Sequence, residues 1–203
     1  PNVSSLDQTE VQALSTTQLA GLATTQLSGL NATDVGEFTS TQIGQLSTAQ
    51  LAALSATAVS ALNQTQVQVL SSTQIGALTS TQLKGLNATD VGEFTTTQVG
   101  LLSNAQLASL SATAFSALDQ TQVQTLSTTQ LGALTTSQLT GLSTTDIGEF
   151  TATQIASLGT AQIGALSATN VAALSSTQLA ALMDTQFGAL SRKPLQALHQ
   201  TQV

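Results

Sequence analysis

The chain has 203 residues, a net charge of −7 and only 6% charged side chains, with three cations, Lys84, Arg192 and Lys193. Nucleic-acid binding and attachment to an anionic membrane surface both require clustered Lys and Arg, so neither fits. No cysteine is present, which excludes a disulfide framework and thiolate metal ligation, and no apolar run is long enough for a membrane span.

Residues 1–5 form a short flank without a Met or a signal-peptide pattern, and the chain reads as a fragment of something longer. From Leu6 to Ala197 it divides without insertion into 24 units of eight residues, followed by a partial unit at 198–203. Position 1 is Leu except at Phe38, Phe94 and Phe150, and position 6 is always apolar. Position 5 is usually Gln, and position 2 is usually Ser, Thr, Asn or Asp. An eight-residue period matches neither a continuous helix nor a flat strand, so the chain has to turn once per octad.

The second octad, Leu14-Ser15-Thr16-Thr17-Gln18-Leu19, says how. Ser15 is a good N-cap, Gln18 can reach back to its amide, and Leu14 and Leu19 form a hydrophobic staple. Repetition of this signature predicts one short helix per octad, starting near position 2. Such helices are too short to persist alone, so they must stack with positions 1 and 6 on a common axis. The expected fold is an all-α solenoid, with Gln at position 5 on the solvent side and small residues at positions 4 and 8 allowing close approach. A β-solenoid whose corners absorb the parity change is the alternative.

A longer period overlies the first. Residues 14–69, 70–125 and 126–181 are three copies of a seven-octad block. Ala58 and Ala114 replace Gln at matching places, with Asn170 in the third copy. Recent duplication accounts for this, and so would seven octads making a whole number of superhelical turns.

Each block carries an acidic segment: LNATDVGEF at Leu30–Phe38 and Leu86–Phe94, and LSTTDIGEF at Leu142–Phe150. Six of the ten acidic residues lie in these segments: Asp34, Glu37, Asp90, Glu93, Asp146 and Glu149. The aspartates take the Gln position and can serve the capping box at the positive end of a helix. The glutamates have no such local reason. Asp and Glu three apart could present two carboxylates to calcium, but calcium wants six to eight oxygens, and neither an EF-hand loop nor a glycine-rich nonapeptide is present. The expectation is punctuation of the repeat without a ligand and without a tight calcium site; the alternative is an acidic stripe used in packing or partner contact. Gly36, Gly92 and Gly148, at position 7, could ease chain reversal.

Toward the C-terminus the pattern degrades. Met183 and His199 replace cap residues, and Pro194 takes the Gln position beside Arg192 and Lys193, as in a terminal, distorted unit. The sequons at Asn2, Asn31, Asn63 and Asn87 follow from Asn and Thr holding fixed octad positions.

These octads resemble the Leu-Ser/Thr-Thr-x-Gln-Leu/Ile/Val-x-Ala/Gly arrays of very long bacterial surface and secreted proteins of the adhesion type, some of them labelled for heme utilization. The resemblance covers the chain from Leu6 on and implies an extracellular or cell-surface stalk, spacer or adhesive surface. Heme ligation finds no support, since His199 is the only His and Met183 the only Met. One His beside many hydroxyls, all accounted for by capping, argues against an enzyme, and no cofactor is expected. Two readings follow: a rigid spacer or fibre-forming module, and a solenoid surface that holds a protein or glycan. A flat Thr face for ice binding is a minor third. Self-association through the solenoid's ends or sides is expected of exposed repeats.

Overall fold

A computed structural model describes residues 3–190. After a single 3-10 turn at Val3–Ser5 come 23 α-helices of four to six residues, from Gln8–Gln12 to Asp184–Ala189, and no strand occurs among the described residues. The expected all-α solenoid is therefore the observed one, one helix per octad. Arg192, Lys193, Pro194, His199 and the partial octad lie outside the described residues.

Every helix begins at position 3, with position 2 as an extended N-cap. In Asn104–Ser109 the Ser103 hydroxyl accepts the Gln106 N–H, and Gln106 Oε1 accepts the Ser103 N–H at 2.8 Å. Where the cap residue has no acceptor, as at Ala23, Gly159 and Met183, the glutamine half persists: Gln26, Gln162 and Gln186 accept the cap N–H at 2.8, 2.7 and 2.7 Å. Ala58 and Ala114 keep only the other half, the serine hydroxyl accepting their N–H. The helix ends after one to one and a half turns, and the backbone runs on in right-handed or extended conformation. No described residue has a positive φ. Gly36, Gly92 and Gly148 thus do not turn the chain through the left-handed region expected of a glycine cap.

Positions 1 and 6 form one continuous apolar core from Val3 to Leu190. Leu6, Leu14 and Leu22, at the N-terminal edge, are only partly buried. Phe38, Phe94, Phe150 and Phe115 are inside, whereas Phe187 and Met183 are exposed, Met183 by 58%. Burying a Leu or Phe side chain is worth roughly 1.5–3 kcal/mol, which is what holds helices too short to nucleate alone.

Most helices pack on the helix three further along, as Ala88–Gly92 does on Ala112–Ser116. Between these helices position 8 meets position 3 of the previous turn. A Cβ on Gly85 would lie 2.8 Å from the Ala56 Cβ, and one on Gly141 2.7 Å from that of Ala112. Position 8 thus allows the close approach predicted for it. Its neighbour is position 3, not position 4.

The glutamines correct a second expectation. From Gln42 onward the position-5 glutamines are buried, Gln106 with 5% exposure. Gln106 Nε2 donates to the carbonyls of Ile75 at 2.8 Å and Leu78 at 2.9 Å, residues 31 and 28 positions earlier. The same pair of offsets recurs at Gln42, Gln50, Gln66, Gln82, Gln98, Gln138 and Gln178. One side chain closes its own helix N-terminus with its oxygen and ties down the previous turn with its nitrogen. Gln faces inward because both ends of the amide find partners there, removing the usual cost of burying it.

An offset of 28 residues is three and a half octads. Two turns then take 56 residues, the length of the seven-octad block.

Candidate functional site

The acidic segments build the same arrangement three times. Asn31 caps the helix Ala32–Gly36, its Oδ1 accepting the N–H groups of Thr33 at 2.8 Å and Asp34 at 3.1 Å. Asp34 Oδ2 accepts the Asn31 N–H at 2.9 Å and the hydroxyl of Ser4, thirty residues earlier, at 2.7 Å. Asp90 stands likewise between the Asn87 N–H and the Ser60 hydroxyl. Asp146 accepts the Ser143 N–H and hydroxyl and the Ser116 hydroxyl. All three aspartates are buried, with 8, 7 and 9% exposure.

The geometry explains why an Asp can stand here. It keeps the glutamine's capping function through one oxygen. It is too short, and has no N–H, to donate to the previous turn. A serine hydroxyl rising from that turn donates to it instead.

Glu37, Glu93 and Glu149 follow at position 8, half-buried at the helix end. One carboxylate oxygen of Glu93 and one of Glu149 are buried without a hydrogen-bond partner. Burial first, and then the neighbouring Asp90, hold the Glu93 carboxyl above its ordinary value. Burial, Asp146 and Asp119 do the same for Glu149. Asp119, an N-cap, is lowered, chiefly because the Thr121 hydroxyl donates to it at 2.6 Å. Within each copy Asp and Glu lie side by side. The copies, two turns apart, are not gathered into one site.

Among the described residues no group of three or more His, Cys, Asp or Glu is disposed to hold a metal ion. The donors already used on the aspartates make the same point chemically: each Oδ2 is occupied by a backbone N–H and a hydroxyl.

One further surface feature stands apart from the acids. An open groove crosses three successive turns, lined by Ser80, Lys84, Ser109, Thr135 and Ser137. Lys84 is the one cation among the described residues. No described helix is long and apolar enough to cross a membrane.

Sequence reasoning missed the serines of position 7. Ser4, Ser60 and Ser116 looked like ordinary polar filler, and their pairing shows only once the turn-to-turn offset is known.

Neither a curated protein nor a solved structure matches this chain. A family model described as the ALTTAQ repeat matches it over residues 43–80, 142–176 and 155–192, which supports a repeat array.

Proposed function

We propose that this chain is a structural repeat module of a bacterial extracellular or cell-surface protein, acting as a rigid spacer, stalk or fibre-forming segment with no catalytic role. The observation that carries this is the glutamine ladder, which ties each turn to the one before it from Gln42 to Gln186. Every added turn reproduces the same core, the same capping and the same carbonyl contacts. Length can therefore grow without any change in cross-section, which is what a spacer requires. The extracellular setting rests on the resemblance and on the cysteine-free, hydroxyl-rich composition.

The test is a length series. Chains extended by one and two copies of the 70–125 block are measured by small-angle scattering. A maximum dimension that rises by the same increment per block supports a rod; growth as the cube root of mass overturns it. Protease shaving of intact cells carrying the parent protein tests the location, and protection of this segment until lysis refutes surface display.

A second reading, a surface that holds a protein or glycan, draws on the hydroxyl-lined groove around Lys84. Aromatic anchors, which usually dominate such surfaces, are absent from the residues that line it.

A further inference from the structure

The position-5 residue of one turn stands over the position-7 residue thirty places earlier, as Asp90 over Ser60 shows directly. Applied along the chain, this offset sorts the sequence without exception. Six position-5 residues between Asp34 and Asn170 are not Gln, and their counterparts thirty residues earlier are all Ser, Thr or Lys. Asp34, Asp90 and Asp146 stand over Ser4, Ser60 and Ser116. Ala58 stands over Ser28, Ala114 over Lys84 and Asn170 over Thr140. The position-5 glutamines from Gln42 to Gln186, by contrast, all stand over Gly, Ala or Gln.

The contacts supply the reason. Glutamine must pass over position 7 to reach carbonyls on the previous turn, and Gln74 and Gln130 also donate to the position-7 carbonyls of Gly44 and Gly100. Gly and Ala leave it room. Where Gln12 and Gln124 lie beneath, their amides turn away to the carbonyls of Glu37 and Glu149. Where position 7 is Ser, Thr or Lys, the residue above is short. It is Asp where the hydroxyl has a proton to give. It is Ala over Ser28, whose hydroxyl bonds its own helix at the Thr25 carbonyl. It is Asn over Thr140, which bonds Thr136 and Ala165 while Asn170 reaches only the Leu142 carbonyl.

We propose that positions 5 and 7 are a matched pair, read across adjacent turns, that specifies which octad stacks on which. The inference is independent of the spacer reading. Octads are otherwise nearly interchangeable, so stacking displaced by one unit would bury the same leucines. It would set Asp90 over Gln68 or Ala52, neither of which places a serine hydroxyl beneath the carboxylate. A buried carboxylate without its donor is strongly disfavoured. Short-over-donor pairs thus act as register marks, as a buried polar residue does in a coiled coil. The marks fall alternately 24 and 32 residues apart, and the aspartate marks recur every 56 residues, the length of the block.

Two experiments on the full chain test this. The first is a double-mutant cycle read by thermal midpoint. Ser60→Gly and Asp90→Gln each lower the midpoint by several degrees, and the double variant, a standard glycine–glutamine pair, returns to within about 1 °C of the parent. The converse cycle, Gly92→Ser with Gln122→Asp, behaves alike. Additive losses in both cycles overturn the pairing. The second reads register. Spin labels on Thr57→Cys and Thr89→Cys, exposed sites on adjacent turns of a chain with no cysteine of its own, give a single distance in the otherwise unchanged protein. In a chain whose six exceptional pairs are all made Gln over Gly, a second distance one helix spacing away appears. A single unchanged distance in that chain overturns the register role.

Discussion

Ser60 and Asp90 are thirty residues apart in sequence and in direct contact across one turn, the serine hydroxyl donating to the aspartate carboxylate. The same contact joins Ser4 to Asp34 and Ser116 to Asp146. A carboxylate that looked like an isolated acidic feature is thereby half of a pair, and its job is met inside the fold. Several measurable consequences follow from this arrangement and from the glutamine ladder beside it.

Leu102→Ala removes a side chain with 4% exposure and is expected to cost roughly 2–5 kcal/mol. A Gln106 on the solvent side would cost less to truncate, but the side chain lies inside. Gln106→Ala strands the Leu78 carbonyl and empties buried space, so the expected cost is about 1–3 kcal/mol from unsatisfied groups alone. Chemical denaturation of the two variants compares them. A cost for the glutamine change below about 0.5 kcal/mol would contradict the buried ladder.

Glycines at positions 7 and 8 are expected to differ. Gly85→Ala places a methyl 2.8 Å from the Ala56 methyl, and overpacking of this kind costs about 1–3 kcal/mol. Ala56→Gly in the same chain relieves it. Gly92→Ala meets nothing within 4 Å and should stabilise by up to about 1 kcal/mol, since its backbone is already helical. Thermal midpoints of the three variants decide it.

Acidity should stiffen the array. Glu93 and Glu149 hold their protons more tightly folded than unfolded, because burial and neighbouring aspartates oppose the charge. Stability from this source is complete below the unfolded carboxylate value, about 4.3, and is lost as pH rises through the raised folded value. Asp119 works in the opposite sense: its contribution is present above the unfolded value and fades as pH falls through the lowered folded one. The midpoint is therefore expected to decline from mildly acidic pH toward neutrality. Glu93→Gln with Glu149→Gln should raise the midpoint at neutral pH and flatten the decline; an unchanged profile would show the two carboxylates to be uninvolved.

Millimolar calcium is expected to leave the thermal midpoint where it was, because one oxygen of each aspartate, Oδ2, already accepts two donors and no further acidic, His or Cys group stands by among the described residues. A rise of many degrees that vanishes in the triple variant Asp34→Asn, Asp90→Asn, Asp146→Asn would make the three segments a repeated cation site.

Local chemistry was enough to read the helices from the sequence. Ser103 and Gln106 lie three residues apart, and the hydrogen bonds that start their helix involve no other part of the chain. The same is true of the apolar stripe, since Leu102 and Leu107 point to one side of any helix so begun. What those short helices do next is not local. Gln106 has an oxygen whose partner is three residues away and a nitrogen whose partners are 28 and 31 residues away. Only the oxygen is visible to a reading of neighbours in sequence, so the side chain was placed toward solvent. The number of octads per turn, the inward glutamines and the match of Asp90 to Ser60 all depend on that long offset. That offset joins residues of different octads on neighbouring turns, so no single octad encodes it.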